Sequence, residues 1–347
     1  MRFTCLLCML TVLFGSEELV GDTIIRRDGL QPIRGAILSG GVTGLRIELL
    51  DGDRETRLIP WSVVLEIQSG RPHPTLEIFI EQGSQLFRAK QRLLRGDVLL
   101  AEPLFSESFS RLVGTDSDDA RLASEGLLRC AIARGDFSIA VHPWLETIRL
   151  IEMNTSVPFT NLEPILDSST MLCPHLPPVW LNDPQLVKVC KSYREKPQQI
   201  TASIAVLLTS KQPQALPIDG IEDPFFLWQI LHCADGKQDA RDALLNRQKQ
   251  LNPWKRVWSD YFIAEGYLAD SSDNSRTMGL IHLAKVASIH PRLQPWLTCA
   301  SMLRLSDAMQ EEGEEEASLR IKDEALRLFP VHPLHAQDSY QIRSSVQ

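Results

Sequence analysis

Two groups of residues in this sequence carry side chains suited to catalysis or metal binding. Cys173-Pro174-His175 places a thiol beside an imidazole, the combination that cysteine nucleophiles use. Neighbours joined by a proline rarely converge on one substrate, so we interpret this pair as structural. His282 and His290 are eight positions apart and could share a helical face, but no third metal ligand is evident. The sequence therefore predicts neither a catalytic residue nor a metal site.

Carboxylates offer the one enzymatic alternative. Glu163, Asp167 and Asp183 lie in a proline-rich central region, and two carboxylates at a fixed separation can hydrolyse a glycosidic bond. Nothing in the sequence sets that separation. The motifs of nucleotide-binding, zinc-dependent and serine-dependent enzymes do not occur, so we expect no cofactor and favour a protein that is not an enzyme. An envelope- or carbohydrate-acting hydrolase stays as the alternative.

The composition limits the classes of protein to which the chain can belong. Its 347 residues suggest two or three compact units, and 44% hydrophobic with 23% charged residues is typical of a folded soluble protein. These values exclude collagen-like, wholly disordered and polytopic membrane proteins. The net charge is −8 and no basic block occurs, so binding of nucleic acid lacks electrostatic support.

Residues 1–21 predict a signal peptide. One positive charge, at Arg2, precedes an apolar run from Phe3 to Gly15 that is too short for an ordinary membrane span. We therefore expect export to the periplasm or the extracellular space, with cleavage after Gly15 or Gly21. A retained N-terminal anchor, which is the one route to membrane contact, and a misassigned start codon are the alternatives.

Five cysteines follow the apolar segment: Cys130, Cys173, Cys190, Cys233 and Cys299. They are widely spaced and odd in number, whereas a disulfide-stapled exported domain has a denser, even set. We expect most of them to be buried as small apolar residues. One pair could form a disulfide, and the sequence does not say which.

Residues 22–70 alternate between short apolar stretches and turn residues. Leu45, Ile47 and Leu49 alternate with charged residues, the period of a half-buried strand. Turn signals separate five predicted strands, and Pro60 interrupts the chain before the last one. The pattern resembles the small Src-homology-type and Sm-like β-barrels. Sm-like barrels often bind RNA, but arginines and acids nearly balance here, so we expect a packing or peptide-contact module.

Residues 83–153 contain a repeat at an offset of 39. Arg95-Gly96-Asp97 and Arg134-Gly135-Asp136 are each followed by an alanine, and four residues later by Phe105 or Trp144. Gly-Asp would turn the chain between two antiparallel helices, the alanine would let them approach, and the aromatic would fill the space between them. This resembles the tetratricopeptide repeat, whose period is ~34, so longer turns between the helices are expected.

A second set of repeats is predicted in residues 236–335. Pro253, Pro291 and Pro330 recur at intervals of 38 and 39, each after a helical run. Proline ends one helix and presets the start of the next, as at a repeat junction. Between the two sets, residues 154–235 are rich in proline and predict an irregular link with about two helices and a surface loop. Residues 336–347 are expected to form a flexible tail.

These patterns together predict a mainly α fold. An α-solenoid of about four to six antiparallel helix pairs would follow a small five-stranded β-barrel; a non-repetitive helical domain is the alternative. Stacked helix pairs offer a surface for extended peptides or partner domains. We therefore predict a non-catalytic exported scaffold or adaptor that binds a protein or peptide partner, whose identity and the protein's own oligomeric state stay open. Candidate partner-binding residues, chosen as exposed positions on first helices, are Arg88, Gln91, Lys255, Tyr261 and Arg304. A barrel that binds the ligand itself would require an aromatic cluster around Trp61.

Overall fold

A computed structural model describes residues 21–50, 54–70, 72–178, 184–195, 197–210, 225–270, 272–330, 332 and 335. The predicted signal segment, up to residue 20, and the predicted tail, 336–347, lie outside these ranges. The chain divides into two compact units, Met1–Ser84 and Gln85–Gln347. We call them the N-terminal unit and the helical unit.

The N-terminal unit contains the five predicted strands. They are β1 (Asp22–Arg26), β2 (Ile33–Gly41), β3 (Gly44–Leu49), β4 (Thr56–Ile59) and β5 (Val64–Gln68). All neighbours are antiparallel, in the order β4-β3-β2-β1-β5. Within the described ranges no pairing joins β4 to β5, so the sheet is open where a closed barrel was expected.

Trp61 belongs to the core of this sheet. It follows β4 and is 3% exposed, among buried residues that include Leu45, Ile47 and Val64. Its Nε1 donates to the Gly41 carbonyl oxygen at 2.7 Å. Its ring stacks on the single ring of Phe79, with centroids 5.3 Å apart. Trp61 therefore stabilises the N-terminal unit, and the aromatic cluster that a ligand-binding barrel requires is not seen in the part of the chain that the structure describes.

The described residues form twelve α-helices. They are α1 (Glu77–Leu94), α2 (Val98–Leu112), α3 (Asp118–Arg134), α4 (Phe137–Glu152), α5 (Pro184–Arg194), α6 (Gln199–Ser210), α7 (Phe225–Ala234), α8 (Gln238–Arg247), α9 (Pro253–Leu268), α10 (Asp273–Ile289), α11 (Pro295–Glu311) and α12 (Glu315–Leu328). Helices that follow one another in the chain pack together through most of the helical unit, notably α2–α3–α4 and α9–α10–α11–α12. The mainly α fold is confirmed.

The turns predicted at the first repeats are confirmed. Gly96 and Gly135 follow α1 and α3 with φ values of 84° and 71°, which glycine adopts without steric cost. The equivalent alanines on α2 and α4 are fully buried. Phe105 and Trp144, one turn further on, are buried in the cores of the helical unit. Repeated local sequence thus produces repeated local structure.

Two expectations for the rest of the helical unit are corrected. The described residues of the link 154–235 form three helices, α5, α6 and α7, where about two were predicted. The surface loop was expected over residues 168–183, of which 179–183 lie outside the described residues. Its described part, 168–178, is largely buried, because Leu172, Cys173 and Leu176 pack into the helical core at 1–3% exposure. Prolines prevent this segment from being helical, but the hydrophobic effect still favours burial of its apolar side chains.

The helices of the described ranges were also compared with the length and hydropathy that crossing a bilayer requires. None of them meets both conditions.

Candidate functional site

The helical unit holds a non-helical piece of its own chain, which contains several turns, against several helices. We call residues 155–178 the central segment. Ser156 donates to the Asp118 carboxylate at the start of α3, through its backbone N at 2.8 Å and its Oγ at 2.9 Å. Further on, Arg129 of α3 donates to the Glu163 carbonyl oxygen at 2.8 Å, and its guanidinium lies 5.2 Å from the ring centroid of Phe159. The first half of the segment is therefore fastened along α3.

The second half of the central segment is held by donors to its backbone carbonyls. Trp144 Nε1 of α4 donates to the Met171 carbonyl oxygen at 3.1 Å. Trp258 Nε1 of α9 donates to the Pro174 carbonyl oxygen, also at 3.1 Å, and the Gln294 side chain donates to the same oxygen. The donors come from both the first and the last repeats. The segment consequently links helices that are far apart in the sequence.

Local sequence places these donors. Asn252 caps α9 by accepting from the backbone N of Lys255, and Pro253 occupies the first turn, which positions Trp258 one turn later. Gln294 occupies the cap position of α11, yet its side chain makes no capping hydrogen bond. It turns to Pro174 instead, and is 1% exposed. Although Gln294 occupies the cap position of α11, its side chain thus hydrogen-bonds to the central segment and not to its own helix.

A cavity of about 390 Å³ lies beside the central segment. Its lining comes from four places in the helical unit: the end of α3 with the turn into α4, the central segment, the start of α11, and the end of α12 with the residues that follow. The lining residues are Ile132, Ala133, Arg134, Gly135, Phe137, His175, Gln294, Pro295, Trp296, Leu328, Phe329, Pro330 and His332. Most of this surface is apolar or aromatic.

The polar groups of the cavity are few and largely uncharged. Arg134 is neutralised by Glu102, with its Nη1 2.5 Å from a carboxylate oxygen. Burial lowers the pKa of His332 to about 4, and the neighbouring His335 adds to the effect, so His332 is neutral at physiological pH. The Trp296 Nε1 is buried and has no hydrogen-bond acceptor among the described residues. The cavity therefore has a mainly apolar lining, and Arg134 within it is paired with a carboxylate.

Three of the residues predicted to bind a partner are less exposed than expected, and their role in binding stays a prediction. Lys255 and Tyr261 are buried, at 7% and 0% exposure. The Lys255 Nζ lies 3.5 Å from the Ser169 Oγ of the central segment. Arg304 is half-buried and pairs with Glu265 at 3.6 Å. Solvent exposure was expected from helical position alone. Neighbouring helices and the central segment cover the faces that were expected to be exposed.

The other two predicted residues lie on α1. Arg88 is exposed and Gln91 is half-buried. They are remote in sequence from the cavity and do not contribute to its lining. Whether they bind a partner stays a prediction.

The two described carboxylates of the enzymatic alternative, Glu163 and Asp167, do not line the cavity. Glu163 is exposed, and Asp183 lies outside the described residues. Asp167 accepts hydrogen bonds from the backbone and hydroxyl groups of Ser169 and Thr170. Burial acts to raise the pKa of Asp167, but these hydrogen bonds outweigh it and hold the pKa below its ordinary value. Asp167 therefore orders a turn of the central segment.

The two histidines considered as metal ligands both lie near Asp260. His282 Nδ1 is 3.0 Å from an Asp260 carboxylate oxygen, and Lys285 Nζ is 2.7 Å from the same oxygen. His290 Nε2 is 3.9 Å from the other oxygen. The lysine already supplies a positive charge to this carboxylate. In the part of the chain that the structure describes, no group of three or more potential ligands is arranged to hold a metal ion.

A second buried polar centre connects α4 with its neighbours. Glu146 is 1% exposed and accepts from Arg149 at 2.8 and 3.0 Å, from the Gly114 backbone N at 2.7 Å and from the Tyr193 hydroxyl at 2.7 Å. Burial acts to raise the pKa of Glu146, but these donors outweigh it and lower the pKa. Its carboxylate is fully engaged with protein donors, which indicates a structural role.

Sequence reasoning missed the functional side of the tryptophans. Trp144 was predicted from its spacing to fill the space between helices, and it is buried in the helical core. The positions of Trp258, the sixth residue of α9, and Trp296, the second residue of α11, are seen only in the structure. Each of these tryptophans also carries an indole Nε1 that can donate a hydrogen bond. The sequence signal for such a donor was a tryptophan at a fixed distance after a turn or a proline. Comparisons with protein-family models, with curated proteins and with solved structures find no match for this chain.

Proposed function

We propose that this protein is a non-catalytic scaffold or adaptor that binds a protein or peptide partner through its helical-repeat surface. The observation that supports this proposal is the set of hydrogen bonds by which the helical unit holds its own central segment. Donors from α4, α9 and the residue before α11 hold the backbone carbonyls of Met171 and Pro174. Every polypeptide offers such carbonyls, so donors of the same kind suit an extended segment of another protein.

The repeats are proposed to be tetratricopeptide-like, and the sheet to be of the Sm-like or Src-homology type. The offset of 39 between equivalent positions, with a positive-φ glycine at both Gly96 and Gly135, supports the first identity. The meander β1 to β4, with β5 added beside β1, supports the second. Neither identity brings a catalytic residue with it.

Export belongs to the same proposal and depends on the apolar run from Phe3 to Gly15. Its test is the mass of the intact protein recovered from fractionated host cells. We expect a chain that starts after Gly15 or Gly21 in the periplasmic or extracellular fraction. A full-length chain in the cytoplasm would exclude export.

Peptide binding is tested by panning a phage library of random twelve-residue peptides against the folded full chain. Selected peptides are then synthesised and titrated, and hydrogen–deuterium exchange locates their binding site. We expect peptides that share a pattern, bind saturably and slow exchange in the helical unit. Recovery of no specific peptide by a chain whose circular dichroism shows it folded would refute the proposal. Protection confined to residues 22–70 would refute it as well, since the sheet would then be the binding module.

A further inference from the structure

One asparagine of this chain lies in the sequence pattern of N-linked glycosylation. Attachment of an oligosaccharide to asparagine requires a serine or threonine two positions later and excludes proline between them. Asn154-Thr155-Ser156, where α4 passes into the central segment, has this pattern. The chain contains six asparagines, and none of the other five is followed two positions later by a hydroxyl residue. The sequence therefore contains a single candidate acceptor.

The turn after α4 presents Asn154 to solvent. Its backbone N donates to the Ile151 carbonyl oxygen at 2.9 Å, which closes the helix. Asn154 has a φ of 56°, in the left-handed region that asparagine adopts more readily than most residues. The residue is exposed, and its side chain has no hydrogen-bond partner among the described residues. Its amide nitrogen is thus free to carry a substituent.

The surface around Asn154 leaves room for a bulky group. Met153 and Val157 are 40% and 62% exposed, and Ser156 is exposed as well. Phe159 is the first residue after Asn154 to be buried. An oligosaccharide on Asn154 would consequently displace no core side chain, and it would lie beside two exposed apolar side chains that water solvates poorly.

The hydroxyl of the pattern is engaged once the protein has folded. Ser156 donates to the Asp118 carboxylate through its backbone N at 2.8 Å and its Oγ at 2.9 Å. Asp118 belongs to α3, so this contact forms only when the central segment has packed along that helix. The transferase has to contact the same hydroxyl. Modification would therefore precede this packing, when an exported chain emerges unfolded from the membrane.

We propose that Asn154 carries an N-linked oligosaccharide, added while the chain is exported. The donor is an oligosaccharide carried on a lipid pyrophosphate. The Asn154 side-chain nitrogen attacks the anomeric carbon of the sugar, forms a carbon–nitrogen bond and gives up one proton. The bond from that carbon to the pyrophosphate oxygen breaks, and the lipid pyrophosphate leaves with the electron pair.

This inference rests on the export that forms part of the proposed function, because lipid-linked oligosaccharides are transferred to chains that cross a membrane. It also adds to that function. A hydrophilic oligosaccharide beside Met153 and Val157 would make the surface at the end of α4 unavailable to a partner, and would direct partner binding to other faces of the helical unit.

The test is mass spectrometry of the protein recovered from the exported fraction of its host. The intact mass is measured first. The tryptic peptide 150–188, which contains Asn154, is then fragmented by electron transfer, a method that leaves sugars attached. We expect an intact mass above that of the polypeptide, with the added mass on Asn154.

Variants produced in the same host check the role of each position. Asn154→Gly removes the acceptor and suits the positive φ, so it should fold and lose the added mass completely. Ser156→Ala should lose it as well, whereas Ser156→Thr should keep it. Asn161→Gln is the matched control, because Asn161 is exposed in the same segment but Glu163 stands two positions later. It should carry the oligosaccharide as the parent does. Circular dichroism establishes that the variants fold.

Three results would overturn the inference. The first is an exported chain with no added mass on peptide 150–188, in which case export stands and this inference alone fails. The second is an added mass that persists in Asn154→Gly, since another residue would then carry it. The third is a full-length chain in the cytoplasm, which refutes export and this inference together.

Discussion

The Trp258 Nε1 donates a hydrogen bond to the Pro174 carbonyl oxygen at 3.1 Å, across 84 positions of the chain. Gln294 donates to the same oxygen from the residue before α11. One carbonyl thereby joins α9, α11 and a segment that follows α4. The cohesion of the helical unit depends on this contact between non-neighbouring repeats as well as on the packing of helices that are adjacent in sequence.

Removing the donor at this contact should loosen the central segment. We expect Trp258→Phe to lower the free energy of unfolding by about 1 kcal/mol, since it keeps most of the buried ring and loses one hydrogen bond. Chemical denaturation measures the loss, and hydrogen–deuterium exchange should quicken in residues 168–178. Trp228→Phe, which removes a donor with no acceptor among the described residues, should leave exchange in that segment unchanged. Equal exchange in the two variants would contradict the role of the Pro174 contact.

The buried Glu146 carboxylate should make stability depend on pH. We expect Glu146→Gln to destabilise the protein by about 3 kcal/mol at pH 7, because Arg149 loses its buried partner. The pKa of Glu146 is lower in the folded than in the unfolded chain, so its contribution is present above pH 4.5 and disappears as the pH falls through the folded value.

Denaturation at a series of pH values tests this dependence. The difference in unfolding free energy between the parent and Glu146→Gln should therefore narrow below pH 4.5. Glu107→Gln, at an exposed position on α2, provides the control and should match the parent at every pH. A parent–variant difference that is the same at pH 7 and pH 3 would show that the Glu146 charge does not contribute.

The close approach of α3 to Phe105 of α2 should tolerate no side chain at Gly126. A Cβ at this position would lie 2.6 Å or less from three atoms of the buried Phe105 ring. We expect Gly126→Ala to destabilise the protein by about 1–2 kcal/mol, because overpacking outweighs the gain in helix propensity. Adding Phe105→Leu should cost less in the Gly126→Ala background than in the parent. The matched control is Gly70→Ala, whose Cβ would meet nothing within 4 Å and whose thermal midpoint should be unchanged.

The five cysteines among the described residues should be unreactive thiols. All five are buried and free, and burial raises the pKa of Cys173 to about 12 and that of Cys190 to about 11. In a variant with Cys5 and Cys8 replaced by serine, we expect no reaction with a thiol reagent until denaturant is added, and then five equivalents. Three equivalents in denaturant without reductant would show a disulfide, which the sequence left open.

Much of the local structure could be predicted from the residues alone. Alternating Leu45, Ile47 and Leu49 produce a strand because a period of two places them on one face of the sheet. Gly96 and Gly135 end helices because glycine accepts a positive φ, and Pro253 begins one because its fixed φ suits a first turn. These are properties of a few neighbouring residues, so they can be recognised without knowing what packs against them.

The candidate site depends on contacts that local sequence does not encode. Lys255 and Tyr261 have the helical spacing of surface residues, but the helices and the segment that cover them come from distant parts of the chain. Residues 168–178 read as a loop because proline cannot continue a helix, while their burial depends on whether helices elsewhere leave room for them. The cavity beside Trp296 likewise exists only because α3, α11 and the end of α12 meet. Short-range backbone preference thus determined the elements of this protein, and the free energy of excluding water between them decided which side chains remain exposed.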